Sequence, residues 1–299
     1  MTGDSRSLFN RFMRWISRHL VSLSCVYHHL DEQGKVTGKA RLLACSGFVM
    51  SFGEVWYLIT AGHVISGKNS LDELFNSPRV RVDECFLVDF FGLEAKHRNT
   101  IPFDYRGSIR YGVDVDGVDW GFVMLTSNER RLLEANGIVA VAEVNWMRQD
   151  RVKDWLAYLL LGIPNETVEP DAALGSEKAD SYGKAGIALL HIRKLDALPD
   201  GAEITAAPRF VGEITNLGDL KSVEGMSGGP IFGFALVDGH LHYWVVAIQS
   251  SWFRKKYVFG TPLPPVARGF YEALLNYSPP GITGQSPPND APPKTGQRD

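Results

Sequence analysis

The amino-acid sequence predicts an all-β protein, a barrel or sandwich built in two strand-rich halves. Three observations predict it. Short apolar runs recur along most of the 299 residues, broken by glycine-containing turns. Asp238-Gly239, set between two such runs, is a tight hairpin signal. One helical segment, with its own start and stop signals, divides the strand-rich stretch in two.

Taken in order, the first element is a short basic amphipathic helix over 1–20. Leu8, Phe12, Trp15, Ile16 and Leu20 recur at helical spacing, with Arg11, Arg14 and Arg18 among them. Such a helix either lies on the body of the domain or attaches the chain to a membrane surface or a partner protein. Val21 to His28 is the first strand, and Asp31 to Gly34 a turn. Ala40 to Met50 and Val55 to Thr60 are further strands with Gly53 between them, and Val80 to Phe90 and Gly121 to Leu125 continue the pattern. These fill a first β unit over 21–126. Thr126 and Glu129 then have capping-box spacing, Leu132 and Leu133 follow, and Gly137 ends the run, so 127–137 is a connecting helix. The second β unit spans 138–277, with its best strands at Leu156 to Leu161, Ile187 to Ile192, Pro230 to Leu236 and Leu241 to Gln249. Phe270 and Leu274 set helical spacing for a final helix over Val266 to Asn276. Residues 278–299, rich in Pro, Gly, Gln and charge, have almost nothing to bury and read as a disordered tail.

Composition narrows the function. At 44% hydrophobic and 22% charged, the chain is ordinary for a globular protein. A net charge of -3 and dispersed aromatics give no basic stripe, so no nucleic acid is expected as a partner. Cys25, Cys45 and Cys85 match neither a metal motif nor a disulfide framework, and read as buried thiols in a reducing compartment. No stretch of about 18 apolar residues spans a membrane. The N-terminus lacks the apolar core and cleavage site of a signal peptide, so a cytoplasmic location is expected. Asn165-Glu166-Thr167 then matches a glycosylation sequon by pattern alone. His28-His29 and His240-x-His242 have no carboxylate or cysteine spacing to complete a metal site, so neither metal nor cofactor is expected.

Three segments carry chemistry. Leu58-Ile59-Thr60-Ala61-Gly62-His63-Val64 runs an apolar strand into small residues that place an imidazole at its end. Asp119 stands at the mouth of the apolar run Trp120 to Leu125, where a shielded carboxylate can accept the Nδ1 proton of an imidazole and fix its tautomer. Asp114 and Asp116 are rivals, but Asp119 alone abuts the strand. Gly225-Met226-Ser227-Gly228-Gly229-Pro230 is a constrained loop. It can expose the Ser227 hydroxyl while the Gly225 and Ser227 N–H groups converge where the oxygen of a tetrahedral intermediate would form.

Together these segments resemble the trypsin-like, chymotrypsin-fold serine peptidases. The His box is matched by Thr60 to His63, the Asp box by Asp119 to Leu125 and the nucleophile loop by Gly225 to Pro230, in the family's order of His, Asp, Ser. Cys45-Ser46-Gly47-Phe48-Val49 looks like the strand that precedes the His box, and Val246 to Trp252 like the strand edge that pairs with substrate backbone through Gln249, Ser250 and Ser251. The resemblance implies two six-stranded antiparallel β-barrels with short N-terminal, connecting and C-terminal helices, and an active site in the cleft between barrels. It implies a serine endopeptidase acting on a polypeptide substrate, with Ser227 as nucleophile, His63 as general base and Asp119 orienting it. Val64 after His63 leaves Cys45 without the pairing cysteine of secreted members, which favours the intracellular and bacterial HtrA-like branch; no PDZ-like module follows. The family's primary-pocket position, six before the nucleophile, falls on Lys221, which would favour an acidic or polar residue before the cleaved bond and repel Arg or Lys. Two other functions fit the same residues: a catalytically silent binding or sensor module, and a hydrolase of non-peptide acyl substrates.

Overall fold

The computed structural model describes residues 11–89, 100–147, 149, 152, 154–171, 174, 182–263, 265–266 and 269–270. Phe90, the last residues of the expected final helix and the expected tail over 278–299 lie outside them, as does Leu8. Within them the chain is mostly β-strand with a few short helices, consistent with the all-β class.

The first half holds β1 (Val21–Leu30), β2 (Val36–Cys45), β3 (Phe48–Phe52), β4 (Val55–Thr60), β5 (Val80–Asp89), β6 (Ile101–Pro102), β7 (Arg110–Val115) and β8 (Val118–Met124). They form two four-stranded sheets, ordered β2-β1-β5-β6 and β3-β4-β8-β7. The second half holds β9 (Ala157–Gly162), β10 (Glu169–Pro170), β11 (Gly183–Lys184), β12 (Ala188–Lys194), β13 (Phe210–Asn216), β14 (Pro230–Val237), β15 (His240–Phe253) and β16 (Tyr257–Pro262). Six of these close into a barrel, β12-β13-β16-β15-β14-β9, while β10 and β11 pair as a separate ribbon. The helices are α1 over 11–17, α2 (Gly62–Ile65), α3 (Leu71–Asn76), α4 (Ser127–Ala135) and α5 (Val144–Met147).

The expectation of two six-stranded barrels is therefore corrected for the first half, which is split between its two sheets among the described residues. The expected strand over Ala40 to Met50 breaks at Ser46-Gly47. There the Ser46 carbonyl accepts from Thr60 Oγ1 and the Gly47 carbonyl accepts from the Val21 N–H, so neither extends a ladder. The two sheets touch at this corner through single bonds, such as Val49 N–H to the His19 carbonyl at 2.9 Å. At the far seam β6 is only two residues long and one is Pro102, which has no N–H to offer a neighbouring strand.

Of four apolar clusters among the described residues, the smallest gathers Val26, Ala40 and Phe86, and the other three are large. One fills the first half between its sheets, with Leu58, Leu87 and Val123 at its centre, and another fills the barrel around Leu160, Ile231 and Ala247. The largest lies between the halves and draws on both, with Phe48, Ile59 and Phe122 meeting Leu161, Phe232 and Ile248. Helix α1 seals one end of it. Ile16 and Leu20 are fully buried, Trp15 meets Tyr243 edge-on at 4.7 Å between ring centroids, and Arg11 and Arg14 face solvent. Leu263, Val266 and Phe270, helical where described, are buried in the same core. Helix α4 has the full capping box between Thr126 and Glu129, and links the halves.

Candidate active site

A cleft of about 650 Å³ is lined by residues of both halves, among them His63, Asp119, Gly225, Ser227, Gln249, Ser250 and Ser251. His63 is carried by α2 rather than by the end of β4. A Cβ at Gly62 would sit 1.9 Å from the Val113 carbonyl oxygen, so only glycine lets α2 rest directly on β7. That approach brings the His63 backbone to the start of β8. Its N–H donates to Asp119 Oδ1 at 3.0 Å, and its ring Nδ1 lies 2.7 Å from Asp119 Oδ2. A carboxylate only accepts, so Nδ1 carries the proton and Nε2 is the ring's basic nitrogen. Asp119 is buried and is itself clamped from the barrel. Thr261 Oγ1 accepts from the Asp119 N–H and donates to the Asp119 carbonyl, both at 2.8 Å.

Electrostatics follow from this packing. Burial opposes a charged His63 ring, but the hydrogen bond and charge of Asp119, with Asp114 adding, outweigh it and raise the pKa above the ordinary value. Asp114, directly opposite Asp119 in the β7–β8 ladder, is raised as well, by burial and then by the Asp119 charge. Asp116 does other work. It sits at positive φ in the β7–β8 turn and accepts from the Ala206 N–H at 3.0 Å. His63, Asp114 and Asp119 bring one nitrogen and two carboxylates within 4.8 Å of one another, the residues that could hold a cation here. The 2.7 Å between Nδ1 and Oδ2 is instead the length of a direct hydrogen bond. Two ligands bridged by a metal at about 2.0–2.2 Å each would stand farther apart.

Ser227 lies across the cleft, half-buried, at the head of β14. Its hydroxyl donates to the Ser250 carbonyl at 3.1 Å rather than to His63. The loop around it is pinned: Gly228 N–H to the Gln249 carbonyl, Gln249 N–H to the Gly229 carbonyl, and Gly229 N–H to the Met226 carbonyl. The N–H groups of Gly225 and Ser227 have no hydrogen-bond partner among the described residues. Past the Ile248–Pro230 pair, the β14-side edge of β15 has no partner strand among those residues either, so its Ser250–Trp252 segment borders the cleft as an open edge. Gln249 Nε2 donates to the Ser251 carbonyl, and its buried Oε1 is unpartnered.

Lys221 is not brought to this cleft. It is exposed, and its N–H and that of Ser222 both donate to Glu166 Oε1, at 2.7 and 3.0 Å. Leu217, Leu220 and Val223 pack inward on the barrel core, and that three-residue rhythm turns Lys221 outward. Spacing from Ser227 located the position but not its direction. Sequence reasoning also missed Thr261, Ser46, Asn165 and the Glu203–Arg209 stretch. The first two act through hydrogen bonds to partners 142 and 179 residues away, which no local pattern signals.

No family model matches the chain, and no curated protein matches it. Among solved structures the chain is similar to a thermostable serine protease from an extremophilic microorganism, at 12% identity and a TM-score of 0.42, over 88% of this chain and 99% of that one.

Proposed function

We propose that the chain is a serine endopeptidase of the trypsin-like kind. The observation that carries this reading is the Asp119–His63 pair, with Nε2 left as the base, sharing one cleft with Ser227 and the two unpartnered N–H groups of its loop. In the proposed reaction a turn about χ1 moves the Ser227 hydroxyl from the Ser250 carbonyl to His63 Nε2. His63 takes the proton as Oγ attacks the scissile carbonyl, and Gly225 and Ser227 hold the resulting oxyanion. His63 then protonates the leaving amine, and water hydrolyses the acyl-enzyme. The open edge of β15 offers backbone groups to an extended polypeptide, as strand addition requires.

The bond from Ser227 to the Ser250 carbonyl also suits a second reading, a silent binding module whose serine never meets the base. A fluorophosphonate probe separates the two, because it reacts only with an activated serine. The wild-type protein is expected to gain one adduct by intact mass and Ser227→Ala none. An unlabelled wild-type protein would move the assignment to the silent module.

A further inference from the structure

The loop that would bind the oxyanion is rich in glycine, with Gly225, Gly228 and Gly229 around Ser227, and glycine peptides rotate at little cost. Gly225 has φ +90°, in the left-handed region, so its flanking peptide planes need external anchors to hold one orientation. Two anchors are present. The Glu224 carbonyl accepts from the Asn165 N–H at 2.7 Å, and the Gly225 carbonyl accepts from Ser46 Oγ at 2.8 Å. The first bond has a direct consequence for the site. The Glu224 carbonyl and the Gly225 N–H share one trans peptide plane and point in opposite directions. Tying the carbonyl to Asn165 therefore aims the N–H the other way.

Ser46 binds more than the loop. Its hydroxyl donates to Gly225 and accepts from the Ile163 N–H at 2.9 Å, two residues before Asn165. Its carbonyl accepts from Thr60 Oγ1 at 2.8 Å, in the segment that leads to His63. The side chain is almost wholly buried, so no water competes for these bonds. Gly228 is seated on the same junction: a Cβ there would lie 2.0 Å from Thr60 Oγ1 and 2.4 Å from the Ser46 carbonyl oxygen. One serine of the first half thus touches the base-bearing segment, the end of β9 and the nucleophile loop.

We propose that Ser46 is a positioning residue that locks the Glu224–Gly225–Met226 backbone in the orientation presenting the Gly225 N–H to the cleft, and holds that loop in register with His63. Its catalytic consequence rests on the peptidase reading; its structural content does not. The test is built on that difference. Amide hydrogen exchange is followed in the wild-type protein and Ser46→Ala, with Ser46→Thr, which keeps the hydroxyl, as the rescue. In Ser46→Ala the Asn165, Met226 and Gly229 amides are expected to exchange about tenfold faster or more, while amides of β1, β5 and β12 keep their rates. Unchanged exchange in the loop, or equal acceleration throughout the protein, would overturn the proposal. Should the extra methyl of Ser46→Thr prevent folding, Asn165→Pro removes the other anchor's N–H at the first residue of the short 3₁₀ turn Asn165–Thr167, a helix-start position that tolerates proline. It is expected to loosen the Met226 and Gly229 amides, and a loop left unchanged counts against the lock. If the wild-type protein turns over peptide, kcat of Ser46→Ala should fall about 10- to 100-fold with KM within about twofold, and Ser46→Thr should recover it. A wild-type protein that neither cleaves nor labels sinks the peptidase reading alone, and exchange still decides the lock.

Discussion

Asp119 uses both carboxylate oxygens on one residue, holding the His63 backbone with one and its ring with the other. The ring cannot turn without giving up a bond to a buried charge. This has a pH signature whose sign is fixed. The raised His63 pKa means that the fold favours the protonated ring, whereas a general base must be neutral. The acid limb of kcat/KM should therefore lie above the ordinary imidazole value of 6.5. Asp119→Asn removes the hydrogen bond and the charge that raise the pKa and leaves burial, which lowers it. The limb should then move to lower pH while turnover falls on the order of 10⁴-fold. Asp116→Asn should leave the limb in place, since that carboxylate serves the Ala206 N–H. Stability obeys the same linkage: the pair's contribution is complete below 6.5 and is lost as pH rises through the raised value. Rate profiles of the three proteins check this, and a limb unmoved by Asp119→Asn removes Asp119 from its assigned role.

At the scale of elements, what could be read from sequence divides by the range of the forces involved. The capping box of α4 is local, and the structure has both of its bonds. Asp238-Gly239 is local as well, and both residues take positive φ between β14 and β15. The paired edge at Ser46-Gly47 is not local. An apolar run from Ala40 to Met50 looks continuous, and only the partners of its carbonyls on β1 and beside His63 divide it into two strands. Strands β7, β13 and β16 were illegible for a related reason: their sequences are mixed, and the ladder of neighbours makes them strands. The site shows the same division. Glycines and a serine set close together marked the Gly225–Pro230 loop, but the direction of Lys221 depends on three inward-packing neighbours. The cap offers a clean measurement. Thr126→Ala should cost about 1 kcal/mol, read as a lower denaturant midpoint with an unchanged slope. Labelling at Ser227 should be unaffected, because α4 touches the cleft nowhere. A midpoint equal to the wild-type value would mean that α4 is held by packing alone.

The molecule as a whole presents a cleft whose charge is one-sided. Besides Asp119 it is lined by Asp114, Asp116, Glu203 and Glu224, and among the described residues the only lysine or arginine on its walls is Arg209. That guanidinium is engaged elsewhere. It donates to the Glu203 carbonyl and stacks 4.3 Å from the centre of the Phe259 ring. With Lys221 turned to solvent, the charge on the described walls opposes the acidic preference expected from it and would favour Lys or Arg instead. Carboxylates on cleft walls reinforce one another's potential and draw in cationic chains. Peptides with Lys or Arg flanking the cleaved bond should therefore be processed faster than acidic ones, through kcat/KM more than kcat. The preference should fade between about 0.1 and 1 M salt as the screening length falls from about 10 to 3 Å. Cleavage of a mixed peptide library at both salt concentrations measures it. Asp114 and Glu203 approach from different elements, so Asp114→Asn and Glu203→Gln should each weaken the preference and together weaken it further. A library dominated by Asp or Glu beside the cleaved bond, at either salt, would show that a group other than these walls selects the substrate.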